Sequence, residues 1–294
     1  MAVVFLFVDG VGIGDDAPHN PFSTHDFRIF QRLTGQERMV CGVDVGALDA
    51  GLGVGGFPQS GTGQVTLFSG VNAAAQIGHH FGPYPHSKTR HLLTDGTSLF
   101  QRAASAGRSC VFLNAYPERY FSAMEARNRW SATTLMALNA GQRLHTVDDI
   151  RAGRGITAEI LQDYWRDNLY PDIPAIGVEH AADRVMAAAD THDLVLTEYY
   201  LTDKAGHAMD AAGAREAIRR FDAFACAVLD RLKPTDTLLI TSDHGNVEDL
   251  SVKTHTCNDV PLLVGGTHAE SAPRAGTLAD VTPLILGWLR ADGP

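Results

Sequence analysis

The sequence predicts an α/β fold in which a mostly parallel β-sheet carries helices on both faces. Residues 3–8, Val-Val-Phe-Leu-Phe-Val, are continuously apolar, as expected of a strand buried on both sides. Downstream, strand and helix patterns alternate repeatedly, and such alternation is typical of parallel sheets. The 294 residues fit one large domain, or a core with a small second lobe.

Local signals predict the individual elements. A loop rich in Gly, Asp and Pro spans residues 9–23, and a Gly-dense stretch at 51–63 leads into a short helix at about 62–70. Gly107 is a helix stop after residues 97–106. Further strands are predicted at 109–113, 194–199, 237–241 and 260–264, and further helices at 181–189, 211–232 and 279–289.

The segment over residues 115–174 breaks this alternation. It has a helical pattern, and we interpret it as a small cap inserted into a core formed by residues 1–114 and 175–294. Its aromatic side chains are expected to pack the cap rather than to bind a base: Tyr116, Tyr120, Phe121 and Trp130.

The charge balance limits the classes of partner. With 24 basic and 34 acidic residues the formal net charge is −10, which argues against binding to nucleic acid or to an acidic membrane surface. It does not argue against a small anionic substrate, because a local metal charge can outweigh the global field. The sequence leaves open whether the chain forms a homodimer.

Cysteine usage and the N-terminus favour a cytoplasmic location. The four cysteines are far apart and include no CxxC pair, so a disulfide framework is not expected. No run of about 18 apolar residues suggests a transmembrane span. The N-terminal apolar run is short and leads directly into Asp9-Gly10, which favours a buried strand over a secretory signal.

Polar residues gather at the carboxyl ends of the predicted strands, where open α/β sheets bind their ligands. Six of them flank the strands and one lies in the Gly-dense stretch: Asp9, Asp203, His207, Asp243, His244, His255 and Ser60. Three carboxylates, three imidazoles and a hydroxyl are therefore expected to converge on one edge of the sheet.

These residue types suit divalent metal ions. Carboxylate and imidazole ligands fit Zn²⁺ or Mn²⁺ about equally well, and seven candidates exceed the needs of one tetrahedral ion and suffice for two. Asp203 and His207 are four residues apart, so one helical turn would place both on one face. Two neighbouring ions can clamp an in-line phosphoryl displacement. We therefore expect two divalent ions and a small phosphorylated substrate.

Ser60 is the candidate nucleophile. It lies in a Gly-rich turn ahead of a predicted helix, whose N-terminal N–H groups can bind a phosphate. Thr62, in the same turn, is the second choice and is more simply explained as structural. Lys88 and Arg90 are candidates for binding a substrate phosphate or carboxylate, and a solvated loop is the alternative explanation for that stretch.

Together these residues resemble the alkaline phosphatase superfamily, most closely its branch with cofactor-independent phosphoglycerate mutase and phosphopentomutase. The most specific stretches are Ser-Asp-His-Gly-Asn at 242–246 and Thr-His-Thr-Cys-Asn-Asp-Val-Pro at 254–261. The resemblance covers roughly residues 1–110 and 178–294. It implies phosphorylation of Ser60, and it implies two ion sites, one formed by Asp203, His207 and His255 and the other by Asp9, Ser60, Asp243 and His244.

Two features favour a hydrolase over a mutase. The chain has Gln59-Ser60 and Gly63-Gln64 where the mutases carry Asn-Ser or Asp-Thr and then Gly-His. The core elements between Ser60 and Asp203 leave only about 60 residues for a cap, too few for the large transferase domain of the phosphoglycerate mutase. Hydrolysis of a small phosphate ester through a phosphoserine, by a phosphatase or a phosphodiesterase, is therefore the favoured function.

Three alternatives stay open. Exclusion of water by the cap would return the phosphoryl group to the substrate and make the enzyme a phosphomutase. The chain could instead be a catalytically silent metal-binding relative. It could also hydrolyse a different ester, such as a phosphonate or a sulfate.

Overall fold

An eight-stranded β-sheet forms the centre of the part of the chain that the computed structural model describes, which comprises residues 1–24, 27–30, 33, 39–40, 42–127, 129–271, 273 and 275–291. Its strands are β1 (Val3–Val8), β2 (Met39–Val40), β3 (Val43–Asp49), β4 (Cys110–Phe112), β5 (Leu194–Tyr199), β6 (Thr237–Thr241), β7 (Val260–Gly266) and β8 (Ala275–Thr277). Across the sheet their order is β2-β3-β7-β6-β1-β5-β4, and β8 pairs with β3.

The described residues also form eleven α-helices and four short 3₁₀ helices. The α-helices are α1 (Ser60–Ser69), α2 (Ala73–Ile77), α3 (Leu99–Ser105), α4 (Glu118–Arg127), α5 (Ala132–Asn139), α6 (Val147–Arg151), α7 (Asp163–Asn168), α8 (Val178–Ala189), α9 (Leu201–Ala208), α10 (Ala211–Leu229) and α11 (Val281–Ala291). The 3₁₀ helices are Pro21–Thr24, Arg90–Leu93, Ala269–Ser271 and Leu278–Asp280. The predicted strands at 194–199 and 237–241 have the predicted bounds, and the other predicted strands and helices lie within a few residues of theirs.

β1 lies at the heart of the sheet, parallel to both β5 and β6, and β4 is parallel to β5. All six of its side chains are fully buried, because alternate residues enter two separate apolar clusters. Phe5 and Phe7 join the cluster that includes α1, α3, α5 and α11, whereas Val4 and Leu6 join the cluster that includes α8 and α10. The prediction of a mostly parallel sheet with helices on both faces is therefore confirmed.

Three antiparallel pairings at one side of the sheet were not predicted. β7 runs antiparallel to both β6 and β3, and β2 pairs antiparallel with β3. The sequence of β3 gives a weak strand signal, because it contains Gly46 and two aspartates and buries only some of its side chains fully. Because β7 runs in the opposite direction, it begins at the edge where β1, β5 and β6 end, and the residues before β7 reach that edge too.

The segment 115–174 forms the four helices α4 to α7, in agreement with its helical pattern. A small apolar cluster of its own contains Ala115, Ile150, Trp165 and Ile173. α5 instead contributes Leu135 and Met136 to the main core and packs against α1 and α3. The division of the chain into a core and a cap stays a prediction.

Two further observations concern membrane-spanning helices and the cysteines. No α-helix in the described ranges combines the length and the apolar composition needed to span a bilayer. Cys110, Cys226 and Cys257 are free thiols, and Cys41 lies outside the described residues.

Candidate metal and catalytic site

Three neighbouring parallel strands deliver most of the candidate residues to one edge of the sheet. Asp9 directly follows β1, Asp243 follows β6 after one residue, and α9, which follows β5, carries Asp203. Because β1 lies between β5 and β6 and is parallel to both, the residues after these strands lie side by side. His255 reaches the same edge because it precedes the antiparallel strand β7.

Asp203, His207 and His255 form one cluster, which we call the outer group. Asp203 and His207 lie one turn apart on α9, with His207 Nε2 3.5 Å from Asp203 Oδ2. His255 Nε2 lies 3.6 Å from Asp203 Oδ1 and 3.1 Å from His207 Nε2. The group is partly open to solvent, because 45% of the His207 side chain is exposed.

The hydrogen bonds of the outer imidazoles fix which nitrogen faces the cluster. Nδ1 of His207 bonds to the carbonyl oxygen of Lys253 at 3.0 Å, and Nδ1 of His255 bonds to that of Pro58 at 2.7 Å. A carbonyl oxygen only accepts, so in the neutral ring Nδ1 carries the proton and Nε2 keeps its lone pair. Burial, and then the nearby His244, lower the pKa of His255 to about 4, so this ring is neutral at pH 7. Two lone pairs and a carboxylate thus face one another, as a cation site requires.

Asp9, Asp243 and His244 form a second cluster, the inner group, and all three are buried. His244 Nε2 lies 3.4 Å from Asp9 Oδ1 and 3.6 Å from Asp243 Oδ2. Oδ1 of Asp9 and Oδ1 of Asp243 are buried and accept no hydrogen bond within the described residues. Burial, followed by repulsion from Asp243, raises the pKa of Asp9 well above its usual value, and burial also raises that of Asp243. Buried carboxylate oxygens without donors are costly unless a cation compensates them, so the group fits a metal ion.

Ser60 is the first residue of α1 and faces the inner group. Its Oγ lies 2.9 Å from His244 Nε2. α1 can approach this closely because residue 63 is glycine: a Cβ there would lie 2.7 Å from the carbonyl oxygen of Asp243. The structure therefore brings a hydroxyl group to the inner cluster of ligand atoms.

Thr62, the alternative nucleophile, faces away from the ligand atoms. Its side chain is fully buried, and its hydroxyl donates to the carbonyl oxygen of Gln59 at 3.2 Å. Its N–H donates to the carbonyl oxygen of Phe81 at 2.8 Å, so this N–H is already engaged and is not available to a phosphate. These contacts agree with a structural role for Thr62.

The two groups are joined into one site. The rings of His244 and His255 stack with centroids 3.7 Å apart and an interplanar angle of 15°. Asn246, which follows the inner ligands in sequence, donates from Nδ2 to Asp203 Oδ1 at 2.6 Å. The two groups are therefore in direct contact through His244, His255 and Asn246.

Sequence reasoning noted Gln64 only as a departure from the mutases, and the structure gives it a contact. Its Nε2 donates to Asp243 Oδ2 at 2.9 Å and lies 3.4 Å from Asp9 Oδ2. This amide can therefore orient both inner carboxylates through their Oδ2 atoms. Its position one turn after Ser60 on α1 was the signal that could have identified it.

Two glutamates near the site were not identified from the sequence, of which Glu248 is buried and Glu198 is partly buried. Glu248 accepts hydrogen bonds from the backbone N–H groups of Gly12 and Asn246, at 2.9 and 2.8 Å. Glu198, near the end of β5, accepts one from Thr133 Oγ1 at 2.6 Å, and burial raises its pKa to about 7. A carboxylate inside the otherwise apolar stretch of β5 was a signal for Glu198, whereas nothing local in the sequence distinguishes Glu248.

Lys88 and Arg90 follow helices α1 and α2 in the chain, and neither belongs to the outer or the inner group. Lys88 is exposed, and Arg90 begins the 3₁₀ helix Arg90–Leu93. Their role in binding a substrate phosphate or carboxylate stays a prediction.

Curated relatives of this chain include two kinds of phosphomutase. The 2,3-bisphosphoglycerate-independent phosphoglycerate mutase of Pseudomonas paraeruginosa is 27% identical over 229 residues, which cover 73% of this chain and 44% of the relative. The phosphopentomutase of Aliivibrio fischeri is 31% identical over 161 residues, which cover 51% of this chain and 37% of the relative. The chain therefore spans less than half the length of these relatives.

Solved structures of alkaline phosphatases share the fold. The enzyme from the Antarctic bacterium TAB5 matches with a TM-score of 0.58 and 14% identity, over 99% of both chains. The cold-active enzyme of the psychrophile Shewanella sp. matches with a TM-score of 0.57 and 11% identity, over 98% of this chain and 100% of that one. The family model described as the metalloenzyme superfamily matches residues 1–292. On this evidence the chain belongs to the metalloenzyme superfamily.

Proposed function

We propose that the protein is a two-metal phosphatase that hydrolyses a small phosphate ester through a phosphoserine at Ser60. The placement of Ser60 carries this proposal: its Oγ lies 2.9 Å from His244 Nε2, and His244 stacks on His255 of the outer group. A nucleophile thus lies where two candidate ion sites meet. The names of the relatives, phosphomutases and alkaline phosphatases, support phosphoryl transfer as the type of reaction.

The ligand sets suit two divalent ions. The outer group would hold one ion and the inner group, together with Ser60, the other. Both sets offer carboxylate oxygens and imidazole nitrogens, and the inner set has in addition the hydroxyl oxygen of Ser60. Such ligands suit Zn²⁺ or Mn²⁺. When bound, such ions lower the pKa of a nearby hydroxyl and neutralise charge on phosphoryl oxygens.

The reaction would then proceed in two displacements at phosphorus. Ser60 Oγ forms a bond to phosphorus, the bond from phosphorus to the ester oxygen breaks, and the proton of the serine hydroxyl ends on the departing alcohol. A water molecule next attacks the phosphoserine, so that inorganic phosphate leaves and the Ser60 hydroxyl is restored. Gln64 and Asn246 keep the carboxylates of Asp243 and Asp203 oriented throughout.

Hydrolysis of p-nitrophenyl phosphate by a Ser60→Ala variant tests this proposal. We expect kcat to fall by about 10³-fold or more, the order seen when a nucleophile is removed. Bound metal, measured on the same samples, should persist because three inner ligands remain. Thr62→Val is the matched control, since it removes a hydroxyl from the same turn and should leave activity within about tenfold. A Ser60→Ala protein with full activity would refute the assignment of the nucleophile.

A phosphomutase is the second candidate, and the names of the curated relatives favour it. The two reactions differ in product, because a mutase moves the phosphoryl group within the substrate whereas a phosphatase releases it. Phosphorus NMR of mixtures with ribose 5-phosphate or 3-phosphoglycerate distinguishes them. Release of inorganic phosphate supports the phosphatase. Formation of an isomeric ester without release of inorganic phosphate would refute the phosphatase and support the mutase. Bound metal without any turnover would indicate a silent relative.

A further inference from the structure

A cavity of about 890 Å³ lies between the segment 115–174 and α9. Aromatic rings form much of its wall: Tyr116, Tyr120, Tyr164, Trp165 and Tyr200. Its volume lies in the range of small-molecule sites, which are mostly apolar with a few polar groups. Tyr164 and Tyr200 are 51% and 46% exposed, so large rings face solvent although the chain could have buried them.

The aromatic rings of this cavity differ in their contacts: Tyr116 and Tyr120 are packed, whereas Tyr164 and Tyr200 are exposed. Tyr116 and Tyr120 stack on each other with centroids 4.2 Å apart and pack against the main core. These aromatic residues therefore pack, as expected of them, but against the main core and not in the segment's own apolar cluster. Tyr164 and Tyr200 have no ring partner within the described residues, so their faces are open to a planar group.

The free charges of the cavity are positive. Lys204 and Arg119 line it, and among the described residues Arg119 Nη2 donates to the hydroxyl of Tyr164 at 3.4 Å, while no ion pair with an acidic side chain is seen for either cation. The one acidic residue of the wall, Glu159, is engaged by the backbone N–H groups of Tyr164 and Trp165 at 2.9 and 3.2 Å. In a chain of net charge −10, this local excess of cations favours an anionic ligand and hydrogen-bond acceptors on it.

The cavity and the candidate site share helix α9, which contributes Leu201 and Lys204 to the cavity wall and Asp203 and His207 to the outer group. Lys204 neighbours the outer ligand Asp203 on α9. An ester whose phosphate reaches Ser60 could therefore place its alcohol portion among these rings.

We propose that this cavity binds the alcohol portion of the substrate and that this portion carries an aromatic ring and is the size of a nucleoside. The inference rests on the proposed phosphatase function. Stacking on Tyr164 and Tyr200 would hold the ring, while Lys204 and Arg119 would donate hydrogen bonds to its acceptors or to the ester oxygens. The protein would then select among phosphate esters by the aromatic ring of the alcohol portion and not by its sugar.

Two esters that differ only in the ring test the proposal: AMP and ribose 5-phosphate. We expect kcat/KM to be at least tenfold higher for AMP. Tyr164→Ala and Tyr200→Ala should each lower kcat/KM for AMP severalfold to tenfold and leave ribose 5-phosphate within about twofold. Tyr164→Phe and Tyr200→Phe are the matched controls, because they keep the ring and should keep the preference. Both rings are about half exposed, so their removal should not unfold the chain.

A binding measurement separates this inference from the proposed function. Adenosine lacks phosphate, and its binding to metal-free protein can be measured by isothermal titration calorimetry. Binding that Tyr200→Ala weakens supports the cavity even if no ester is hydrolysed, in which case only the phosphatase proposal fails. Equal kcat/KM for both esters, with no adenosine binding, overturns the inference and leaves the phosphatase intact.

Discussion

The inner and outer groups contain the same kinds of ligand but differ in exposure. Asp243 and His244 of the inner group are fully buried, whereas His207 of the outer group has a side chain that is 45% exposed. The inner carboxylates leave two buried oxygens without donors, whereas the outer carboxylate receives the amide of Asn246 at 2.6 Å. The same chemistry therefore has different consequences in the two places.

Because the inner group is buried, we expect the stability of its folded arrangement to depend on a bound ion. A buried, uncompensated carboxylate destabilises the folded chain, so we expect that a cation bound there would contribute to folding. The outer group lies nearer to water, and its imidazoles are held by backbone carbonyls without any ion. We expect the inner ion to exchange slowly and to stabilise the fold, and the outer ion to exchange readily.

The largest effect is expected for Asp243→Asn, which removes a charge from the inner group. The variant should lose about one bound ion per chain and about 10³-fold in kcat, because the remaining ligands hold that ion weakly. Metal analysis and p-nitrophenyl phosphate turnover are the measurements. Asp249→Asn, a partly exposed carboxylate on the same loop, is the control and should change neither. Unchanged metal content in Asp243→Asn would show that the inner group is not an ion site.

Glu198→Gln tests how much the partly buried carboxyl of Glu198, near the inner group, destabilises the folded chain when it is charged. Burial raises the pKa of Glu198 from 4.5 to about 7. Between pH 4.5 and pH 7 the folded chain therefore keeps a proton on this carboxyl that the unfolded chain has lost. The stability associated with that carboxyl falls as pH rises from 4.5 through 7. In metal-free protein the variant should therefore gain about 3 kcal/mol in free energy of unfolding at pH 8 and much less at pH 5.

Urea unfolding of metal-free protein at the two pH values provides the measurement for Glu198→Gln. Thr133 Oγ1 can still donate to the amide oxygen, so the hydrogen bond to the side chain is retained. Glu179→Gln on α8, whose side chain is 64% exposed, is the control and should show no such pH dependence. An equal change in stability at both pH values would show that the carboxyl does not titrate near neutrality.

His207→Ala should have the smallest effect of the three and concerns the outer group. Losing one partly exposed ligand should weaken binding of one ion by about 100-fold while Asp203 and His255 still hold it. Activity should then return when Zn²⁺ or Mn²⁺ is raised, unlike in Asp243→Asn. His180→Ala, on the surface of α8, is the control. A loss of activity that added metal does not restore would mean that the two groups do not differ as proposed.

Parts of this comparison could be predicted from the sequence because they depend on neighbours in the chain. The strands β5 and β6 are apolar runs of strand length, and the candidate ligands lie next to the strand ends. β3 could not be predicted in this way, because it is only partly buried and is recruited by pairing with β7 and β8. Its place in the sheet depends on partners far away in the sequence.

The difference between the groups was also invisible in the sequence. Asp203 and Asp243 look alike as isolated residues, and only the packing of α1 over the inner group, with Gly63 against Asp243, separates them. The cavity likewise has walls from two segments, represented by Tyr120 and Tyr200, which are 80 residues apart and which no local pattern relates. Local patterns thus indicate which chemistry is present, and tertiary packing decides how each part of it behaves.

Glu248 has a consequence for how the chain can diverge. Its carboxylate holds the N–H of Gly12, the N–H of Asn246, the hydroxyl of Thr256 and the amide of Asn258. These donors come from three stretches, so an insertion or deletion inside any one of them would pull a donor away from the shared acceptor. Residues 250–252 lie outside this arrangement and are more exposed. We therefore expect insertions and deletions to be tolerated at 250–252 and not within the stretches that contain Gly12, Asn246–Glu248 and Thr256–Asn258.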